Sequence, residues 1–274
     1  MCAGPVDALV DPFSAPYMQR ALLAVVLLAV AGGLFGAWIA LRRLAFFTHA
    51  VGTATFPGLV VAGPAGIAAP VAALGAAALY TAGLARLLRD GRLASDAATG
   101  LMLVAALAIG SILAGDVFES GAEVDRLLFG TLLGLSDGDL WLAGAVAAFA
   151  VGCTAVLGRT WLATGFDPGA ARSLGVPAAL GDWLLLAMLA LAVVAALPCV
   201  GALLVSTLLV VPSATARLLA GSMRGLLAGG VALALAEGVG GLLAADELNL
   251  PPGPAIAVLG GAVFAFAALA RRLR

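Results

Sequence analysis

The chain has a single histidine, and it lies in the segment "RRLAFFTHAVGTATFPGLVVAG", Arg42 to Gly63. On a helix, His49 and Thr53 stand four residues apart and share one face, with Gly52 beside them permitting close approach of a backbone or a substrate. An imidazole among hydroxyls suits a polar path through an apolar body; a buried histidine bonded to a neighbouring carbonyl is the plainer alternative. One histidine does not complete a metal site, because zinc or manganese takes four or more N, O or S ligands. Other helices, water or a second copy of the chain must supply the rest. Glu237 is the second group, within "VALALAEGVGGLLAA". An ionised carboxylate at the centre of a bilayer is costly, so Glu237 faces the bundle interior or a wet cavity, carries a proton, or bonds a neighbouring helix. The third feature is "RTWLATGFDPGAARSLGVPAALGD", Arg159 to Asp182, where Asp167 and Pro168 mark a helix start and Gly175, with Pro177 beyond it, marks the end. It reads as a connector or as a protruding helix docking into the groove of a soluble partner.

These residues need elements to position them, and composition says which. Of 274 residues 63% are hydrophobic and 11% charged, against about 45–50% and about 25% in soluble domains. The chain reads as an all-α, polytopic membrane bundle surrounded by lipid. The net charge of −1 and the lack of a Lys/Arg-rich block exclude nucleic acid as a partner. Cys2, Cys153 and Cys199 form no Cys-x-x-Cys spacing, which leaves neither a disulfide framework nor a structural zinc site. The first apolar run follows acidic Asp7 and Asp11 rather than a basic region, so it reads as a retained helix and not a cleaved leader.

A crossing takes about 20 apolar residues. Measured against that length, one membrane domain over 1–274 divides into about eight or nine spans: 20–41, 44–62, 65–86, 96–115, 139–158, 182–197, 200–219, 224–244 and 252–271. Hairpin turns are expected at Ala62–Gly66 and Leu197–Gly201. Val124–Leu135 is too short to cross and reads as a half-helix or interfacial segment. With the N-terminus outside and the C-terminus cytoplasmic, every arginine except Arg20 and Arg126 falls on the cytoplasmic side, as positive charge should.

Seven blocks in order then resemble a known family: "DPFSAPYMQRALLA", "GAWIALRRLAFF", "FPGLVVA", "RLLFGTLLGLSDGDLW", "GFDPGAARSLGVP", "VGALLVSTLLVVPSATARLL" and "LNLPPGPAIAVL". The chain resembles the permease subunit of zinc/manganese/iron-type ABC transporters, from about Asp11 to Leu273. The resemblance implies two permease copies, identical or homologous, forming one pathway, a separate ATPase subunit that binds ATP, and an extracytoplasmic metal-binding protein. No G-x-x-x-x-G-K-[ST] loop occurs in this chain, consistent with ATP hydrolysis on a partner. No tightly bound cofactor is expected, and the chain itself is not an enzyme. The family's coupling helix maps onto Phe166–Val176, giving Asp167, Pro168, Arg172 and Gly175 a role in ATPase coupling.

The resemblance also carries a departure. The family places an Asp, and four residues later a His, after the Arg-Arg pair as intramembrane metal ligands; this chain has His49 and Thr53 at those positions. Imidazole suits zinc, whereas manganese prefers carboxylate oxygen. The expectation is a divalent-metal pathway lined by His49, Thr53 and Glu237, favouring zinc, with His49 as the metal ligand in a weak site shared by both copies. A permease for a metal chelate or other small solute is the alternative, and a secondary transporter coupled through Glu237 is a further one.

Overall fold

The structure is a computed structural model and describes residues 14–88, 95–117, 130, 134–167, 171 and 178–273. The first helix among the described residues, α1 (Pro16–Arg42), starts with proline in the first turn, where no intrahelical N–H is needed. It ends at Arg43, left-handed at φ 58°, whose N–H bonds the Ile39 carbonyl. Ala21, Val25, Leu28, Phe35 and Trp38 are all buried, so α1 runs through the interior. A β-carbon at Gly33 would lie 2.5 Å from Val231 Cα and N, so the missing side chain is what admits the neighbouring helix. Such close approach drives helix association in lipid, where apolar burial alone gives little preference.

The expected 44–62 span is divided. Helix α2 (Ala45–Ala54) stops at Thr55 and α3 (Phe56–Ala65) continues from it. Pro57 has no N–H for the Thr53 carbonyl, and Gly52 O instead takes both the Thr55 N–H, at 3.3 Å, and the Thr55 hydroxyl, at 2.6 Å. The chain turns at Gly66 (φ 65°) into α4 (Ala69–Leu88). Next comes α5 (Ser95–Ile112), which loosens into a π-turn at Leu113–Val117. Most of Val124–Leu135, the expected half-helix, lies outside the described residues.

Helix α6 (Asp137–Phe166) opens on a reciprocal cap between Ser136 and Asp139. It continues well past the expected end at 158. Trp161 packs edge-on against Trp38, ring centroids 5.3 Å apart, and Thr164 accepts a hydrogen bond from Arg42. Packing against α1 therefore holds in helical form residues whose sequence reads as a connector. Phe166 belongs to α6 and not to a separate docking helix.

Helix α7 (Ala178–Leu219) contains a break at Gly201, with φ 76° and ψ 165°. A β-carbon at Gly52 would approach Val205 at 2.7 Å and Val193 at 3.7 Å. In one straight helix these valines would stand about 18 Å apart along the axis. The chain therefore doubles back at Gly201, where the Leu197–Gly201 turn was expected, because glycine alone adopts that backbone without strain. Helix α8 (Met223–Leu248) begins at a Ser222 cap and ends at left-handed Asn249; α9 (Pro252–Arg272) closes the bundle.

Side-chain partners fix the directions. Trp38 donates to Thr154 (3.3 Å) and Arg20 pairs with Asp137 (3.0 Å), so α6 runs parallel to α1. Gly32 meets Leu208 and Leu209, while Arg217 donates to the Ala40 carbonyl, so the second arm of α7 is parallel as well. Helix α8 is antiparallel, pairing Gly230 with Gly33 and Gly238 with Val25, and α9 runs back against α8 through Gly241 and Ile256. The carboxyl ends of α1, α6, α7 and α9 thus gather at one end, with Arg42, Arg43, Arg217, Arg271 and Arg272. Eight helical segments among the described residues are long and apolar enough to cross a membrane, with the shorter apolar Leu204–Leu219 beside them. No strand occurs among the described residues, and the expected all-α membrane bundle is what forms.

Candidate permeation site

His49 lies one turn into α2, partly buried. Its Nδ1 is 2.9 Å from Ser206 Oγ on the second arm of α7, and no other partner holds the ring among the described residues. Beneath it the two helices are pressed together by Gly52, whose missing side chain leaves room for Val205 and the Ala202 carbonyl. The glycine thus serves the approach of a helix.

Thr53 shares the face of His49 as its spacing requires, but its hydroxyl turns back. Thr53 Oγ1 donates to the His49 carbonyl at 3.1 Å, and the residue is 1% exposed. Thr48 does the same to Leu44 at 2.8 Å. A hydroxyl bonded to its own helix satisfies itself locally instead of lining a path. The polar group beside the imidazole is Ser206, which sequence reasoning did not single out. Its trace was present: Ser206 and Thr207 interrupt an otherwise apolar run in "VGALLVSTLLVV".

Glu237 is deeply buried in α8, 4% exposed, and its Oε1 has no hydrogen-bond partner among the described residues. Its carboxyl rests against Gly260 of α9; a β-carbon there would lie 2.8 Å from Oε2 and 3.5 Å from Val211 Cγ1. Val211 follows Ser206 by five residues, about 140° around the helix. Glu237 and His49 therefore lie against opposite sides of the α7 arm, and the structure does not bring them together. Among the described residues no group of three His, Cys, Asp or Glu side chains could hold a metal ion.

At the arginine end, Asp167 caps α6 with extended backbone (φ −144°, ψ 91°), and its carbonyl accepts the Ala171 N–H at 3.0 Å. Pro168, Arg172 and Gly175, the other residues expected to couple to the ATPase, lie outside the described residues. Arg42 donates to the Trp161 carbonyl and to Thr164 near the end of α6, and Arg217 to the Ala40 carbonyl in the last turn of α1, so both guanidinium groups sit against helix carboxyl ends, where cations are favoured.

Comparison with known proteins matches this geometry over nearly its whole length. The chain is 31% identical over 248 residues to the manganese import system permease protein ScaB of Streptococcus parasanguinis, covering 90% of this chain and 88% of that one. It is 29% identical over 251 residues to the manganese transport system membrane protein MntC of Halalkalibacterium halodurans, covering 92% and 86%. The solved structure of PsaBC from Streptococcus pneumoniae in complex with Fab superposes with a TM-score of 0.87 at 25% identity, over 96% of this chain and 95% of that chain. The profile of the ABC 3 transport family spans residues 14–271, and with the fold and the relatives in agreement the chain belongs to that family.

Proposed function

We propose that this chain is the membrane-spanning subunit of an ATP-driven importer of a divalent transition metal, with zinc preferred to manganese. The carrying observation is His49: a partly buried imidazole whose Nδ1 is engaged by Ser206 and whose Nε2 has no partner among the described residues. Relatives named for manganese support the cargo class. The zinc preference rests on this chain's own donor, because neutral imidazole suits zinc and hard carboxylate oxygen suits manganese. One chain offers one such nitrogen, so a second permease copy contributes its own His49 and water completes the coordination. Weak binding is compatible with conduction, since an ion must leave as well as enter.

The arginine end is the cytoplasmic one on the positive-inside rule, which puts the start of α1 outside. There Asp167, Pro168, Arg172 and Gly175 engage the ATPase subunit, while the opposite end receives the extracytoplasmic binding protein. ATP binding and release would shift the permease pair between states only as far as the partners bind those states unequally. The test is uptake by proteoliposomes holding the permease, its ATPase and its binding protein. Zinc accumulation should exceed manganese accumulation and fall to background in His49→Ala. Manganese preference, or wild-type uptake by a His49→Ala protein present at normal level, refutes the reading. A metal chelate is the second reading, favoured by the inward turn of Thr53, which leaves the second family ligand position without an accessible donor. It predicts uptake only when a chelator accompanies the metal.

A further inference from the structure

We propose that Ser206 is a positioning residue for the permeating ion: it holds Nδ1 of His49 and commits Nε2 to the metal. The proposal rests on the His49 pathway reading above. The two residues are 157 positions apart in sequence and meet at 2.9 Å between α2 and the second arm of α7. A neutral imidazole carries one N–H and one lone pair, and the hydrogen bond made by one nitrogen decides what the other can do. An ion on Nε2 takes that lone pair, so Nδ1 must carry the proton; Ser206 Oγ then stands at acceptor distance from it. Outer partners of this kind orient a ligating histidine and raise its basicity.

The surroundings make Ser206 a fixed post. Its arm is locked to α1 by Ser213, which donates to the Gly33 carbonyl at 3.2 Å, and by Arg217 at the Ala40 carbonyl. One residue before it, Val205 is seated on Gly52 of α2. Thr53 holds the backbone of His49 from the next turn. His49 is thereby bonded at its backbone carbonyl by Thr53 and at its ring by Ser206, and on the ring Nε2 remains for a ligand. Ion affinity accordingly depends on the registration of α2 against the α7 arm, because the Nδ1 contact joins the two elements.

The test uses the assembled transporter with zinc. Ser206→Ala should raise KM for zinc by about 10- to 100-fold, the usual effect of losing an outer partner, with kcat of uptake unchanged. Ser206→Thr, which keeps the hydroxyl, should restore KM. Because His49 is the only histidine, permease labelled with 15N-histidine gives one imidazole: zinc should shift Nε2 and leave Nδ1 protonated in wild type, and Ser206→Ala should give mixed tautomers. Unchanged KM and unchanged imidazole signals in Ser206→Ala, with His49→Ala inactive, overturn this proposal and leave the pathway reading standing. Wild-type uptake in His49→Ala overturns both. Should Ser206→Ala not assemble, Ser206→Cys, with a weaker acceptor of similar size, is held to the same two criteria.

Discussion

Gly260 and Glu237 form a pair whose coupling can be worked out from their positions. A β-carbon at Gly260 would lie 2.8 Å from Glu237 Oε2, well inside contact, and at an ordinary 3.5 Å from Glu237 Cδ and Val211 Cγ1. Glu237 is 4% exposed, so its carboxyl has no open space to swing into. Gly260→Ala must therefore displace the carboxyl or part α8 from α9. Overpacking of this kind costs about 1–3 kcal/mol, and the lower half, about 1–2 kcal/mol, is expected because the obstruction is a side-chain oxygen and not backbone. Glu237→Ala removes both the obstruction and the unpartnered Oε1. The relief of that buried oxygen, about 1–3 kcal/mol, offsets the packing lost, so the single variant should stay near wild-type stability. In the Glu237→Ala background Gly260→Ala should then cost almost nothing, a coupling of about 1–2 kcal/mol. The four proteins of this cycle are compared by unfolding in one detergent or nanodisc preparation, followed by tryptophan fluorescence. An equal cost of Gly260→Ala with and without the Glu237 carboxyl refutes the reasoning.

Two other substitutions probe the frame. Gly33→Ala should destabilise by about 1–3 kcal/mol, and Val231→Ala should not rescue it, since the obstruction is the Val231 backbone; unfolding of the double variant checks this. Ser136→Ala removes a reciprocal cap, which should cost about 0.5–2 kcal/mol and speed amide exchange at residues 137–140, measured by hydrogen–deuterium exchange.

Much of the architecture was legible from apolar length alone. A run such as Ala21–Leu41, bounded by Arg20 and Arg42, has few ways to exist other than as a crossing helix, because each backbone N–H and C=O in lipid must be bonded within its own segment. The reversals at Gly66 and Gly201 were legible for a similar reason: each requires positive φ, which glycine supplies. The departure at His49 and Thr53 could also be seen, since it depends only on spacing after Arg42 and Arg43. The end of α6 could not. Arg159 reads as the start of a loop, and it is contacts with α1, Trp161 against Trp38 and Thr164 with Arg42, that accompany the helix on to Phe166.

The sequence by itself determined a bundle of membrane helices, the places where the chain reverses, and one imidazole in an otherwise apolar segment. Which side chains meet was decided by tertiary structure: Ser206 beside His49, Thr53 turned onto its own helix, and Glu237 on the far side of the α7 arm. The physical reason lies in the solvent. A helix in water announces its buried face through an apolar stripe, whereas these helices are apolar nearly all round and choose their faces by close backbone approach at residues such as Gly33 and Gly241.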